Sequence, residues 1–396
     1  MTRCKTGWQR AGSAAVLAVS IFAAGCLGGP EYAQTTFEPV SQFGASLNRV
    51  FYNTLAWTMA ILVLVLVLIG VVIVRFRERP GQPHPRQNHG NTKLEIIWTL
   101  IPAVIVVFIA VPTVQTVFSS QSRPDAGALE IEVIGHQWWW EFRYPVEGVI
   151  TANEFYIPVG RQVHLRLTSV DVIHSFWLPR VGGKRDVMPQ PRTADGEMPR
   201  PNHLVFTVDS AGRYRGQCAE FCGEAHGLMA MYAHAVDAEA FDAWIDAMRE
   251  GDPSPAGAPA GGAVVDTAQA QTAQSVPTQG AQAPGQPAQS GAQQTLEQQG
   301  RQIFLSRACI ACHAIAGTTA QGRVGPDLTR FGTRQTVGAG AAANTTENVE
   351  QWIRDPQVLK AGTLMPGAQT EAGGFPSTGL TDDEIRAVAA YLTSLR

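Results

Sequence analysis

A short segment near the middle of the chain, CAEFCGEAHGLM, concentrates side chains that bind soft metal ions. Cys222, His226 and Met229 follow one another closely, and Cys218 precedes them. Copper prefers one thiolate and two imidazoles with a weak axial thioether. The second imidazole is best sought at His174 in DVIHSFWLP, where aliphatic and aromatic neighbours would shield it from water. This pattern predicts a copper site.

The second cysteine changes the expected site. One copper ion needs one thiolate, whereas two thiolates can bridge two copper ions, each completed by one imidazole and one weak axial donor. Met229 would be one axial donor and the backbone carbonyl of Glu220 the other. A Cys218–Cys222 disulfide is the alternative, since an exported domain would permit it. Four other histidines in strand-like contexts are rival ligands: His136, His164, His203 and His234.

A second chemical motif lies in the last hundred residues. CIACH is a C-x-x-C-H sequence, in which two thiols add to the haem vinyl groups and the adjacent imidazole becomes an axial ligand. GPDL follows, and TLMP supplies Met365 as the opposite axial ligand, with Lys360 as a poorer candidate. A thioredoxin-like redox pair lacks its βαβ setting here. We therefore predict a covalent haem c held by Cys309, Cys312, His313 and Met365.

The elements that must position these motifs are of different kinds. Between residues 129 and 236, short runs of alternating apolar and polar residues predict a small antiparallel sandwich or barrel. AEAFDAWIDAMRE predicts a closing helix. LEQQGRQIFLSRA and TDDEIRAVAAYLTSL have helical periodicity, and the second begins with a capping box of Thr381 and Glu384. The copper segment is thus expected in an all-β domain and the haem motif in an all-α domain.

Two apolar stretches, 55–74 and 96–118, predict membrane-spanning helices, which need about 20 residues. Pro102 and Pro112 are tolerated in the second because neighbouring helices can satisfy freed carbonyls. The arginine-rich segment between the stretches is expected in the cytoplasm by the positive-inside rule. Everything after residue 118 would then lie outside the cell membrane.

The beginning of the chain and one internal segment have distinct compositions. A basic start, a short apolar run and small residues predict a signal peptide at 1–26. The sequence AAGC resembles a lipoprotein cleavage site with Cys26 as the lipid acceptor; ordinary cleavage and an uncleaved anchor are the alternatives. Residues 251–294 are rich in Ala, Gly, Gln, Pro and Ser and predict a flexible linker.

Charge and cysteine content exclude other classes of protein. The net charge is −3, from 30 Lys and Arg against 33 Asp and Glu, so the chain has no basic field for nucleic acid. Six cysteines that include two close pairs favour metal or haem attachment over a disulfide scaffold.

These motifs together resemble subunit II of a haem–copper cytochrome c oxidase. The family pattern C-x-E-x-C-x3-H-x2-M is matched in full, and LEIIWTLIP, GHQWWWEF and DVIHSFWLP extend the match over about residues 40–245. The resemblance implies a dinuclear copper centre, CuA. Its implied ligands are His174, Cys218, the Glu220 carbonyl, Cys222, His226 and Met229. It also implies magnesium binding by the Glu220 side chain at the interface with subunit I.

The resemblance assigns roles to two further residues. Trp138 opens the run WWW and matches the position where electrons enter the copper centre; core packing is its alternative. Trp139 stands where the family usually has tyrosine. Glu95, in LEIIWT, matches an acid at the mouth of a proton channel; a solvated group at a membrane edge is its alternative.

The C-terminal part resembles a class I cytochrome c fused to the oxidase subunit, as in caa3-type oxidases. The implied function is to take electrons from an external donor, such as a cytochrome c or a bc1-type complex, through haem c to CuA and subunit I. Oxygen is reduced to water there, with proton translocation. The tethered domain is expected to dock near Trp138. A stand-alone membrane-anchored copper and haem electron-transfer protein that serves another reductase is the alternative.

The predicted fold is therefore multidomain, with a two-helix transmembrane hairpin, an all-β cupredoxin-like sandwich and an all-α class I cytochrome c domain. The predicted boundaries are 1–26 for the signal, 27–125 for the hairpin with its N-terminal segment, 126–250 for the CuA domain, 251–294 for the linker and 295–396 for the cytochrome domain. The implied partners are subunits I and III and membrane lipid. The expected location is a bacterial inner membrane, crossed more than once, with both domains on the periplasmic face.

Overall fold

The computed structural model describes residues 34–78, 80–81, 90–121, 123–190, 201–249 and 295–396. The predicted signal peptide with Cys26 and the predicted linker at 251–294 lie outside the described residues. Both therefore stay predictions, as do the domain boundaries drawn from them.

Two long helices precede the β domain. Helix α1 is Gln42–Arg75 and helix α2 is Thr92–Ser119, and both are long and apolar enough to cross a membrane. Ser41 and Asn91 cap their first turns. The two helices touch where the rings of Trp57 and Phe108 stack at 5.7 Å. Most of their apolar side chains are exposed, a surface that suits lipid rather than water.

Helix α2 contains both prolines that the sequence placed in the second span. The helix is continuous through Pro102 and Pro112. An interior proline removes one backbone hydrogen bond, and in a membrane the freed carbonyl must be satisfied locally or by a neighbouring helix. The structure thus confirms the helix and gives it no break.

Ten strands are described in the β domain. They are β1 Leu129–His136, β2 Trp139–Tyr144, β3 Val149–Ala152, β4 Glu154–Pro158, β5 Gln162–Ser169, β6 His174–Trp177, β7 Arg185–Val187, β8 Asn202–Thr207, β9 Gly212–Cys218 and β10 Ala230–Val236. They form two five-stranded sheets, with strand orders β3-β2-β1-β5-β8 and β4-β10-β9-β6-β7. The predicted sandwich is confirmed.

Two strand pairings differ from the predicted antiparallel arrangement. Strand β1 pairs with β5 in parallel, and β10 pairs with β4 in parallel. The expectation was wrong at these two positions because apolar and polar residues alternate in the same way in parallel and antiparallel half-buried strands. Only the path of the chain between the sheets sets the direction.

The core of the sandwich lies between the two sheets. Aromatic side chains dominate it, and Trp140, Phe142, Phe155 and Phe176 are fully buried. Helix α3, Ala238–Arg249, covers one edge of this core with Phe241 and Ile245. Burial of one large apolar side chain contributes roughly 1.5–3 kcal/mol, so this core can support a rigid scaffold.

The C-terminal domain is mainly helical. Its helices are α4 Leu296–Ser306, α5 Cys309–Cys312, α6 Thr346–Arg354, α7 Pro356–Leu359 and α8 Asp382–Ser394, with two short strands, β11 Thr336–Val337 and β12 Ala342–Ala343. Helices α4 and α8 both begin with a capping box, and the predicted Thr381–Glu384 box is confirmed. Phe304 and Tyr391 meet edge to face where these helices pack, at 6.1 Å.

Candidate copper and haem sites

The loop between β9 and β10 carries the candidate copper ligands. Cys218 ends β9, His226 opens a short 3₁₀ turn and Met229 precedes β10. The amide of Cys218 donates to the carbonyl of Met229 at 2.9 Å, which closes the loop at its base. The amide of Ala219 donates to the Ser175 carbonyl at 2.9 Å, which ties the loop to β6 beside His174.

The two cysteine sulfurs lie 3.8 Å apart. A disulfide bond is about 2.05 Å long, so this spacing is that of two separate ligands. Nδ1 of His174 is 3.9 Å from the sulfur of Cys218, and Nδ1 of His226 is 3.5 Å from that of Cys222. Each sulfur therefore has one imidazole of its own, and the chain shows no bond between the sulfurs.

Each sulfur also has one weaker donor beside it. The carbonyl oxygen of Glu220 lies 3.2 Å from the sulfur of Cys218, and the sulfur of Met229 lies 3.9 Å from that of Cys222. The site thus has two similar halves. This arrangement brings together all six donors that the sequence pointed to.

The electrostatics of the sulfur pair favour a bound cation. A hydrogen bond shared with Cys222 holds the pKa of the Cys218 thiol well below its usual range, and the same pairing raises the pKa of Cys222. One of the sulfurs is then a thiolate at neutral pH. Thiolates are the form in which cysteine binds metals, so copper ions suit this pair.

Asp171 orients the histidine of strand β6. Nε2 of His174 lies 2.8 Å from Oδ1 of Asp171, and the imidazole is fully buried. Burial disfavours the charged ring, but the hydrogen bonds and charges of Asp171 and Cys218 together outweigh burial and raise the pKa of His174. With Nε2 held by the carboxylate, Nδ1 faces the sulfurs. Such a partner fixes the ring of a metal-binding histidine.

The four rival histidines lie elsewhere in the sandwich. Each has another polar side chain nearby. His136 lies 3.3 Å from Glu141, His164 lies 2.8 Å from His203, and His234 lies 3.1 Å from Glu154. His174 is the upstream histidine whose ring reaches the sulfur pair, among the residues that the structure describes.

Trp138 directly contacts the loop between β9 and β10, which is called the copper loop below. Its indole N–H donates to the carbonyl oxygen of Cys222 at 2.9 Å, and Nε2 of Gln137 donates to the same oxygen at 2.7 Å. Trp138 is buried, so the core-packing alternative describes its environment correctly. The hydrogen bond adds a connection from the indole to the backbone of a candidate copper ligand.

The two acidic residues with predicted roles, Glu220 and Glu95, make fewer contacts than the candidate copper ligands do. Oε2 of Glu220 lies 3.6 Å from Nζ of Lys184, on an exposed surface beside the copper loop. Glu95 lies in the first turn of α2, where the helix dipole favours a carboxylate. Magnesium binding by Glu220 and proton uptake at Glu95 stay predictions.

The four predicted haem residues line one cavity of the helical domain. Cys309, Cys312, His313 and Met365 all face it. Its other walls are largely apolar: Phe304, Leu328, Phe331, Trp352, Ile353, Pro366, Val388 and Leu392. Burial raises the pKa of the Cys309 thiol to about 11. An apolar cavity with two thiols at one wall is suited to a covalently attached porphyrin.

His313 is held ready to act as a ligand. Its Nδ1–H donates to the carbonyl oxygen of Pro326 at 2.8 Å, so Nε2 is left for a metal. Burial lowers the pKa of His313, which keeps the ring neutral. A side-chain carbon at Gly325 would lie 2.6 Å from Cε1 of the ring, and only glycine allows this close approach. GPDL therefore positions His313.

The haem cavity opens against the copper domain. Gln137, Trp138 and Trp139 line it together with the helical residues. Lys360, the alternative axial donor, instead directs its Nζ to the carbonyl oxygen of Trp138 at 2.5 Å and to that of Gly338 at 3.2 Å. Burial lowers the pKa of Lys360 to about 7. The two predicted metal sites thus meet at Trp138.

Sequence reasoning missed several residues of the two sites. Asp171 stands three positions before His174 in DVIHSFWLP, a spacing that could have been noticed. Arg334 lines the haem cavity, and its Nε has no hydrogen-bond partner among the described residues. No local signal marked Arg334 as a cavity residue. Lys360 was expected only as a poorer axial donor, and its contact with the Trp138 carbonyl could not be foreseen because the two residues are 222 positions apart.

Comparison with known proteins finds the same parts. Residues 32–116 match the family described as "Cytochrome C oxidase subunit II, transmembrane domain", residues 146–236 match the periplasmic domain of that subunit, and residues 297–396 match "Cytochrome c". The chain is 36% identical to cytochrome c oxidase subunit 2 of Alkalihalophilus pseudofirmus, over 81% of this chain and 79% of that protein. Its identity to the same subunit of Bacillus sp. strain PS3 is 32%, over 81% and 80%.

More distant likenesses cover parts of the chain. A quinol oxidase subunit 2 of Bacillus cereus is 34% identical over 51% of this chain and 70% of that protein. The solved periplasmic domain of subunit II of cytochrome oxidase from Bradyrhizobium japonicum is 28% identical, with a TM-score of 0.29, over 33% of this chain and 96% of that one.

The fold and the matched parts define a membrane-anchored subunit that joins a cupredoxin-like domain to a cytochrome c domain. The chain belongs to the cytochrome c oxidase subunit II family, because relatives of that name are alike over four-fifths of both sequences. The periplasmic-domain match places its β domain on the outer side of the membrane.

Proposed function

We propose that this chain is the subunit through which electrons enter a cytochrome c oxidase, by way of haem c and a dinuclear copper centre. The observation that carries this function is the position of Trp138, which contacts the carbonyl of Cys222 and lines the haem cavity. The two candidate metal sites therefore share one side chain. A stand-alone membrane-anchored electron-transfer protein would need only one anchoring helix, whereas two helices here are long and apolar enough to cross a membrane.

Six donors would hold the copper pair: the side chains of His174, Cys218, Cys222, His226 and Met229 and the carbonyl of Glu220. When bound, copper shared by two thiolates exchanges single electrons with little rearrangement. The chain contributes rigidity. Backbone bonds at both ends of the loop and the Asp171 carboxylate hold the donors at fixed distances.

Four residues would hold the haem. Cys309 and Cys312 would attach it, and His313 and Met365 would bind its iron, which supplies reversible one-electron chemistry when present. The apolar walls exclude water. Arg334 places a guanidinium in the cavity, and its Nε, which has no partner among the described residues, is suited to a haem carboxylate.

The remaining expectations concern the complex and the membrane. Both long helices would cross the bilayer, and the copper loop, with Glu220 and its magnesium, would face subunit I. Subunit III, membrane lipid and an external donor of the cytochrome c or bc1 type are the other proposed partners.

Glu95 would take up protons at the start of α2, at the cytoplasmic surface. Replacing Glu95 by alanine should slow proton-coupled turnover without changing the copper spectrum.

Spectroscopy of the purified oxidase tests the proposed sites. We expect a mixed-valence dinuclear copper signal in electron paramagnetic resonance beside the optical bands of a low-spin haem c. Cys218→Ser should abolish the copper signal and leave the haem bands unchanged, whereas Ala219→Ser in the same loop should change neither. A chain with its sulfurs oxidised to each other and no copper would contradict the proposal. Purification without a multi-span haem subunit would favour the stand-alone alternative.

A further inference from the structure

A buried carboxylate of the copper domain binds the cytochrome domain. Glu154 opens β4 and is 3% exposed. Its oxygens accept hydrogen bonds from the amides of Gln335, at 3.0 Å, and Thr336, at 2.7 Å, and from the Thr336 hydroxyl, at 2.6 Å. Nε2 of His234 lies 3.1 Å from the same carboxylate. Three of these four donor groups belong to the other domain.

A buried charge is costly unless hydrogen bonds compensate it. Within the sandwich, the described partner of Glu154 is His234, and the amides and hydroxyl at residues 335–336 complete the set. Burial acts to raise the pKa of Glu154, but the hydrogen bonds from His234, Thr336 and Gln335 outweigh it and lower the pKa. The carboxylate is therefore ionised and best satisfied when the domains are in contact.

The residues that follow Thr336 pack closely against the copper domain. Ala339 is buried in one cluster with Trp139 and Ala152 of the sandwich, and its carbonyl accepts the amide of Ala230 at 3.1 Å. Gly340 has φ +83, and a side-chain carbon there would lie 3.1 Å from Cβ of Ala230. Polar and apolar contacts thus continue along the same segment.

This contact lies beside the electron path. Trp139, which packs on Ala339, is the neighbour of Trp138, whose carbonyl accepts the buried Nζ of Lys360. Fixing residues 335–340 on the sandwich therefore also fixes the wall of the haem cavity that faces Trp138. A looser contact would move that wall away from the indole.

We propose that Glu154 is a positioning residue that holds the cytochrome domain docked, with its haem cavity against Trp138. This inference rests on the proposed function and adds the contact that makes the internal electron step efficient. Docking also covers Trp138, so an external donor must deliver its electron to the cytochrome domain and not to the copper domain.

The test compares three variants of the purified oxidase. Glu154→Gln removes the charge with little change of shape, and Thr336→Val removes the hydroxyl from the cytochrome side. Glu130→Gln is the matched control, since Glu130 pairs with Arg166 at 2.9 Å on the other sheet. After rapid reduction of the haem by an external donor, one electron leaves the haem iron(II) and reduces the oxidised copper pair, and the optical bands of both report its rate.

We expect this rate to fall about tenfold in Glu154→Gln and severalfold in Thr336→Val, since hydrogen bonds to a charged group are among the stronger ones. The KM for the external donor should stay unchanged while kcat falls. The optical spectra of the haem and of the copper pair should both be unchanged. Glu130→Gln should behave as the wild type. Equal transfer rates in all four proteins would overturn the proposal.

Amide hydrogen exchange gives a second readout that does not depend on turnover. The amides of Gln335 and Thr336 should exchange slowly in the wild type and in Glu130→Gln, and at least tenfold faster in Glu154→Gln. Unchanged protection in both Glu154→Gln and Thr336→Val would also overturn the proposal. If the wild type transfers no electron from haem to copper, the proposed function fails, and exchange alone then decides whether Glu154 holds the domains together.

Discussion

The copper loop and the haem cavity, the two candidate metal-binding regions, are built in opposite ways. At the copper loop, each donor already lies 3.2–3.9 Å from one of the two cysteine sulfurs, and backbone bonds hold the loop to strands of a well-packed sandwich. In the cytochrome domain, the ligands line a cavity at the centre of a small helical domain. The sandwich therefore arranges its candidate donors without a bound metal, whereas the proposed haem would complete the core of the cytochrome domain.

The largest effect should come from loss of haem attachment. In a chain with Cys309→Ala and Cys312→Ala, we expect the C-terminal domain to lose stable folding, since an unfilled core cavity costs about 24 cal/mol per Å³. Limited proteolysis of the full chain should then remove residues 295–396 and spare the sandwich. The matched pair, Cys218→Ser with Cys222→Ser, should leave both domains protease-resistant. Equal resistance of the two double variants to the protease would contradict this difference between the two domains.

Asp171→Asn should have the next largest effect, and it acts on the copper side alone. The amide still fills the space but holds the His174 ring less firmly, and loss of such a partner typically costs 10–100-fold in metal affinity. Titration of the protein with a copper chelator measures this change. Asp186→Asn, on the neighbouring strand β7, is the control. An unchanged affinity would show that the strands alone fix His174.

Trp138→Phe should have the smallest effect of the three, because it keeps an aromatic ring and removes the indole N–H bonded to Cys222. We expect the rate of electron transfer from haem to copper to fall about tenfold or less. The change is modest because one hydrogen bond contributes only a small net free energy. Trp244→Phe, in helix α3, serves as the control, because the ring of Trp244 packs against Tyr144 and Tyr156 of the sandwich. If both variants transfer electrons at the wild-type rate, Trp138 has only a packing role.

Much of the fold followed from local patterns. The capping box of Thr381 and Glu384, the two apolar spans and the alternating strands each depend on residues close in the chain, and the structure contains the corresponding elements. The two parallel pairings could not be predicted, because alternation does not encode strand direction. Nor could Glu154 or Lys360 be assigned, since their partners lie about two hundred positions away along the chain.

Residue types and their spacing along the chain indicate the chemistry of the two candidate sites. The spacing of Cys218, Cys222, His226 and Met229 and the motif CIACH name the donors, because ligand chemistry depends on residue types at short range. The folded chain, in contrast, shows that His174 is the histidine whose ring reaches the sulfurs and that Trp138 lies between the two candidate sites. These relations depend on distances between elements far apart in the chain, and packing alone sets such distances.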